Sequence, residues 1–201
     1  DKPWNLAPQA PARGPAGREL AAVRADFPIL SEPVNGQRLV WLDNGATTQR
    51  PRSVIERISR YYSTENSNVH RGAHTLAARS TDAYEKARHT AAAFIGAGSA
   101  DEVVFVRGTT EGINLVAQAF VLPMLRPGDE ILISELEHHA NIVPWQMICE
   151  RFGARLMVLP ADERGDLRLE ALPGLLTRRT RFVAVTAVAN TTGTIVPVEE
   201  I

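Results

Sequence analysis

The 201-residue chain is 44% hydrophobic and 22% charged with a formal net charge of −1, the make-up of a folded domain rather than a disordered tail. Its 22 basic residues are scattered among 23 acids, which argues against a concentrated footprint for nucleic acid or an anionic membrane. A single cysteine excludes an internal disulfide, no apolar run reaches transmembrane length, and no basic-then-apolar leader opens the chain, so the expectation is a cytoplasmic protein.

Residues 1–19 are rich in Pro, Ala and Gly and read as a mobile extension, with structure beginning near Leu20. The apolar run 39–42 reads as a short strand ending in the turn signal Asp43-Asn44-Gly45. Helical spacing at Val54, Ile58 and Tyr61, after Pro51, predicts a helix over 52–64. A polar loop over 67–74 follows, then a long Ala-rich helix over 75–95 closed by Gly96.

From there the rhythm is regular. Strands are expected at 103–106, 130–133, 155–159 and 182–187, and helices at 109–119, 142–151 and 167–176. Apolar, β-branched-rich strands separated by helices predict an α/β fold with a mostly parallel sheet flanked by helices on both faces. The last four residues read as the start of another helix, so the expected domain is truncated.

Ligands of such sheets bind at the carboxyl ends of the strands. Three polar clusters fall there: residues 107–112, 135–139 and 189–193. Gly108-Thr109-Thr110 lies between a strand and a helix, where free amides and the helix dipole favour a phosphate; equally, Thr109 can simply cap the helix. His138 and His139 can lie on an aromatic ring or act as acid or base, or serve as hydrogen-bonded structural residues. Asn190 can donate to an anionic oxygen or occupy a turn ahead of Thr191-Thr192-Gly193. His70 and His74 have the i, i+4 spacing of a metal pair, but their segment is loop-like and no Cys or acidic cluster completes a set, so no metal is expected. Cys149, inside a helical pattern, reads as a buried structural thiol.

The strings Arg107-Gly-Thr-Thr-Glu-Gly-Ile-Asn-Leu-Val, Glu137-His-His-Ala-Asn-Ile-Val-Pro-Trp-Gln and Val69-His-Arg-Gly-Ala-His-Thr-Leu closely resemble SufS-type cysteine desulfurases. These are pyridoxal 5'-phosphate (PLP) enzymes of the class V aminotransferase family. Ala25-Asp-Phe-Pro-Ile-Leu and Leu42-Asp-Asn-Gly-Ala-Thr-Thr fit the same pattern, although Asn44-Gly45 stands where such families read Ser or Ala. The resemblance runs from about Val23 to the end and covers about the first half of a family member.

It implies the fold type I, aspartate aminotransferase-like PLP-transferase fold. Residues 20–74 would form the N-terminal segment of a small domain with an entrance loop, and 75–201 the first part of the large PLP-binding domain. Thr109 and Thr110 would hold the PLP phosphate. His138 would stack on the pyridine ring and assist proton transfers. Asn190 would face the phenolic oxygen and the substrate carboxylate, with His70 and Arg71 on the entrance loop. Arg107 and Glu111 would belong to a dimer-interface network. The implied reaction takes sulfur from L-cysteine, leaving L-alanine and an enzyme persulfide, which passes sulfur to an acceptor protein for iron–sulfur cluster assembly by a homodimer.

The only lysines are Lys2 and Lys86, and neither suits the Schiff-base role that this chemistry needs. The resemblance places that lysine, the aspartate that pairs with the pyridine nitrogen and the sulfur-accepting cysteine beyond Ile201, so the chain by itself is expected to be inactive. Two other readings stand beside this one. The first is a selenocysteine lyase, acting on L-selenocysteine, or another class V enzyme such as a kynureninase or epimerase. The second is a non-catalytic truncated module for binding or dimerisation.

Overall fold

In the computed structural model residues 19–201 are described; the expected extension over 1–19 therefore lies outside the described residues except for Glu19. The chain divides into two compact units, Asp1–Val103 and Val104–Ile201.

The first unit begins with helix α1 (Leu20–Ala25) and a small antiparallel pair, β1 (Pro33–Val34) and β2 (Gln37–Arg38). Asn35 and Gly36 turn between them with φ of 52° and 71°, the left-handed pair that a two-residue hairpin loop needs. The run 39–42, expected as a strand, pairs with no described strand, and Val40 and Leu42 are exposed. Helix α2 (Arg52–Arg60) runs into a π-helical turn over Tyr61–Glu65, which accounts for the expected helix over 52–64. Helix α3 (Thr75–Ile95) matches its expected bounds. It starts at His74, whose Nδ1 accepts the Ala77 amide at 3.3 Å, and stops at Gly96 with φ 71°. That left-handed conformation suits glycine, and its amide closes on the carbonyl of Ala92 or Ala93.

Residues 103–106, expected as a strand, belong to no described strand, and Val104, Phe105 and Val106 are exposed. A β-branched run favours extended backbone, but a strand needs a hydrogen-bonded neighbour. Helix α4 (Thr109–Val116) follows and widens into a π turn over Ala117–Val121.

Strand β3 (Glu130–Ser134), helix α5 (Val143–Phe152), strand β4 (Arg155–Leu159), the short helix α6 (Leu172–Leu175) and strand β5 (Thr180–Ala184) complete the unit. The helix expected over 167–176 shrinks to a 3-10 turn at Leu169–Ala171 plus α6, whose Pro173 and Gly174 disfavour a longer helix. The strand expected over 182–187 is shifted to 180–184.

The strand order is β4-β3-β5, and both pairings are parallel. The sheet order reverses direction after β4, so crossovers of one hand must lie on opposite faces. They do. Ile131 and Ile133 pack with Trp145, Ile148 and Cys149 of α5 and with Ala117 and Val121 behind α4. Leu132 points the other way, to Leu159 and to Leu172 of α6, as the two-residue period of a strand requires. Every residue of β3 is buried. The expected parallel sheet with apolar cover on both faces is present.

The lower end of the sheet is fastened by charge. Arg155 Nη2 donates to Glu130 Oε1 at 2.5 Å, Thr177 Oγ1 donates to Glu130 Oε2 at 2.6 Å, and Arg181 Nε donates to Asp129 Oδ1 at 3.1 Å. The Thr177 hydroxyl bond holds the Glu130 carboxyl below its ordinary range, outweighing burial and reinforced by Arg155. At Asp129 burial pushes upward, but the Arg181 bond, the Arg126 amide and the attraction of both arginines together bring the carboxyl below its usual value.

Candidate functional site

The carboxyl end of β3 carries the densest polar structure of the second unit. After Ser134 the chain turns through Glu135 and Leu136 into Glu137 and His138, then makes a 3-10 turn over His139–Asn141 before α5. His138 caps that turn: its Nδ1 accepts the Ala140 amide at 3.0 Å. With Nδ1 occupied as an acceptor, the neutral ring carries its proton on Nε2. The ring is exposed and meets His139 edge-on, centroids 6.1 Å apart.

Helix α4 packs against this 3-10 turn. The fold therefore brings together the elements bearing two of the three clusters, Thr109-Thr110 and His138. Gly108 is the N-cap of α4 and offers no side chain, so the first amides of the helix carry no side-chain cap. Thr109 and Thr110 are exposed there. Thr109 is the first helical residue rather than the cap, which removes the simple capping role allowed by its sequence. The φ of Gly108 is 167°, ordinary extended backbone, and a Cβ added there would meet nothing within 4 Å. Glycine at this position leaves open space in front of the helix start.

Arg107 and Glu111 fix the entry to that helix. Glu111 Oε2 accepts the Arg107 amide at 2.7 Å and its Nε at 3.1 Å, while Oε1 accepts Nη2 at 3.3 Å. The Arg107 side chain, and then its amide, hold the Glu111 carboxyl below its usual range. The pair clamps the residues on either side of Gly108, so the loop before α4 is held in shape by its own charges.

Asn190 does not end a strand. β5 stops at Ala184, and Asn190 is exposed in a tight turn closed by Ala189 N to Thr194 O and Gly193 N to Ala189 O, both 2.9 Å. Among the described residues no hydrogen bond joins Asn190 to His138, Thr109 or Thr110. The segment leading to it is nevertheless tied to the His138 loop, because Thr186 N donates to Glu137 Oε1 at 2.8 Å.

His70 and Arg71 lie in the first unit. His70 has φ 62°, its amide donates to Thr81 Oγ1 at 3.0 Å, and its Nε2 is 2.9 Å from Glu85 Oε1. His74 is committed to capping α3. Among the described residues no group of three metal-ligating side chains converges. Cys149 is 3% exposed in the apolar core, and burial, helped by Glu150, pushes its thiol up to about 11. A thiol so poised is a packing group, not a nucleophile.

Sequence reasoning passed over Glu137. It is 8% exposed, and its carboxylate accepts from the Ser134 hydroxyl, the Thr186 amide and the Asn141 side chain. Its legible signal was position: an acid three residues past a buried strand, with hydrogen-bonding side chains three residues before and four after.

The arrangement has the features of an anion and aromatic-ring site. An uncapped eight-residue helix start with two hydroxyls can hold a phosphate, and an imidazole one packed turn away can face a ring with Nε2 free. The family model for aminotransferase class-V matches residues 40–201. A probable cysteine desulfurase of Mycolicibacterium paratuberculosis is 60% identical over 183 residues, 91% of this chain and 27% of the relative. A cysteine desulfurase of Synechococcus elongatus is 57% identical over 192 residues, 96% of this chain and 31% of the relative. The solved apo structure of a cysteine desulfurase from Thermococcus onnurineus NA1 superposes with TM-score 0.81 at 34% identity, covering 96% of this chain and 44% of the other. The chain thus spans less than half the length of each of these proteins. It belongs to the class-V aminotransferase family and has the fold type I architecture of that family's cysteine desulfurases.

Proposed function

We propose that this chain forms part of a PLP-dependent cysteine desulfurase that takes sulfur from L-cysteine and releases L-alanine. The observation that carries this reading is the packing of α4, with Thr109 and Thr110 at its open start, against the turn that begins at His138. The high identity to proteins named cysteine desulfurase supports the substrate.

PLP, when bound, supplies an electron sink that weakens bonds at the substrate α-carbon. The rest of the work falls to the chain. The amides at the start of α4 and the Thr109 and Thr110 hydroxyls hold the phosphate. Arg107 and Glu111 keep that loop in shape and contribute to a homodimer interface. His138 would face the pyridine ring and move protons at Nε2, since its Nδ1 is engaged by Ala140. Asn190, at its turn, orients the phenolic-oxygen side and the substrate carboxylate, while His70 and Arg71 serve the entrance loop. The sulfur leaves as an enzyme persulfide on a cysteine other than Cys149 and passes to an acceptor protein for iron–sulfur cluster assembly.

The lysine that holds the cofactor is neither Lys2 nor Lys86; Lys86 is an exposed residue midway along α3. The 201 residues alone are accordingly inactive. The test is alanine and sulfide release from L-cysteine, with L-selenocysteine as competitor, by the protein at the length of its relatives and by its His138→Gln variant. Desulfuration that drops at least a hundredfold in the variant supports the reading. Full activity of the variant, or turnover of L-selenocysteine alone, overturns it.

A further inference from the structure

Glu137 sits at the junction of three segments: the end of β3, the run after β5 and the start of the turn that His138 caps. Ser134 Oγ and Thr186 N both donate to its Oε1, at 2.5 and 2.8 Å, and Asn141 Nδ2 donates to its Oε2 at 2.7 Å. Asn141 Oδ1 in turn accepts the Trp145 indole Nε1–H at 2.9 Å. Ser134 and Trp145 are buried to 0% and 2% exposure.

The polarity of this chain of bonds has one solution. An indole N–H only donates and a carboxylate only accepts. The amide between them must therefore turn its oxygen to Trp145 and its nitrogen to Glu137. The residue at 137 fixes that orientation, and unmet donors in such a buried setting are costly. The same side chain directly precedes His138 and anchors the loop on both sides of it. The mechanism proposed above makes use of His138 but assigns Glu137 nothing.

We propose that Glu137 is a positioning residue for His138: its carboxylate, by accepting from Ser134, Thr186 and Asn141, locks the loop in which His138 Nδ1 accepts from Ala140 and presents Nε2. The inference rests on the functional reading only for the purpose of the positioned ring; the lock itself stands on the geometry.

Glu137→Gln tests it with almost no change in size. The introduced amide can still accept from Ser134 and Thr186, but its NH2 then opposes that of Asn141. Turning Asn141 over relieves this clash only by setting its NH2 against the indole. Adding Asn141→Asp repairs the polarity, because the introduced carboxylate accepts from both the new amide and Trp145. The measurement is the 15N spectrum of selectively labelled histidine in the complete protein, with the His138 signals assigned by their loss in His138→Gln, together with kcat and KM for L-cysteine. The parent protein is expected to show His138 as the Nε2–H form. The single variant shifts both ring nitrogens toward averaged values and lowers kcat roughly 10- to 100-fold with a smaller change in KM, by analogy with the loss of a hydrogen bond that orients a ligating histidine. The double variant restores the parent spectrum and recovers most of kcat.

Unchanged His138 signals in a folded single variant overturn the proposal, and so does a double variant that fails to restore them. Should the single variant not fold, the double variant decides alone: a parent-like spectrum supports the lock, and a scrambled spectrum or failure to fold overturns it. The spectrum is read without any turnover. Predicted shifts in a protein that does not desulfurate cysteine would sink the substrate reading and leave the positioning role standing.

Discussion

Cys149 is the one thiol of this chain, and its surroundings predict how it reacts. Burial raises its pKa from the ordinary 9.0 to about 11, with a smaller contribution from Glu150. At pH 8 the thiolate fraction of an ordinary group of that kind is about one in ten, and that of Cys149 about one in a thousand. Alkylation proceeds through the thiolate, so the electrostatic factor alone slows labelling about a hundredfold. With only 3% of the residue exposed, reagent access requires local opening, which slows it further. The assay is iodoacetamide labelling at pH 8, with the Cys149 peptide quantified by mass spectrometry in native buffer and in denaturant. The account expects native labelling at least a hundredfold slower. Rates within about threefold of each other would refute the argument and readmit Cys149 as a reactive sulfur carrier. A raised thiol pKa also gives a sign for stability. The folded state holds this proton more tightly, so the associated stabilisation is complete below pH 9.0 and is lost as pH rises toward about 11.

Three further outcomes are expected. Thr110→Val removes an exposed hydroxyl at the start of α4 and should weaken PLP binding by about 1.5–3 kcal/mol, the range for a hydrogen bond to a charged group, read by fluorescence titration; an unchanged Kd would place the phosphate elsewhere. Because the Glu130 and Asp129 carboxyls titrate below their ordinary values, they stabilise the fold above pH 4.5 and 3.8 respectively, and lose that effect as pH falls through their lowered values. Thr177→Val, which removes the largest cause of the Glu130 shift, should move acid unfolding, followed by circular dichroism, to higher pH; no movement would contradict the assignment. Ile131→Ala, at a fully buried position of the central strand, should cost about 2–5 kcal/mol in denaturant unfolding, and a loss under about 1 kcal/mol would show that β3 is not the core.

The sequence was most readable where one local signal decides the outcome. Helix α3 ends where Gly96 takes its left-handed cap, and β4 ends where its apolar run does. It was least readable where a neighbour decides. Residues 103–106 have strand composition, but no described strand pairs with them. The β1–β2 hairpin, two residues a side, was too short to show periodicity, although Asn35-Gly36 carried its turn signal. At the site, Thr109, Thr110 and His138 stand out because each follows an extended segment at a helix or turn start. Asn190 was drawn onto a strand because β5 was expected to end three residues later than it does. Glu137 escaped because its partners Ser134, Asn141 and Thr186 converge only in three dimensions.

The central claim is that this chain supplies phosphate and ring contacts for PLP while the covalent lysine lies elsewhere. Borohydride reduction of the protein at the length of its relatives, followed by peptide mass mapping, tests it most directly. The account predicts a pyridoxyl adduct on a lysine outside these 201 residues, and none on the 201-residue chain treated alone. An adduct on Lys86 or Lys2 would contradict it.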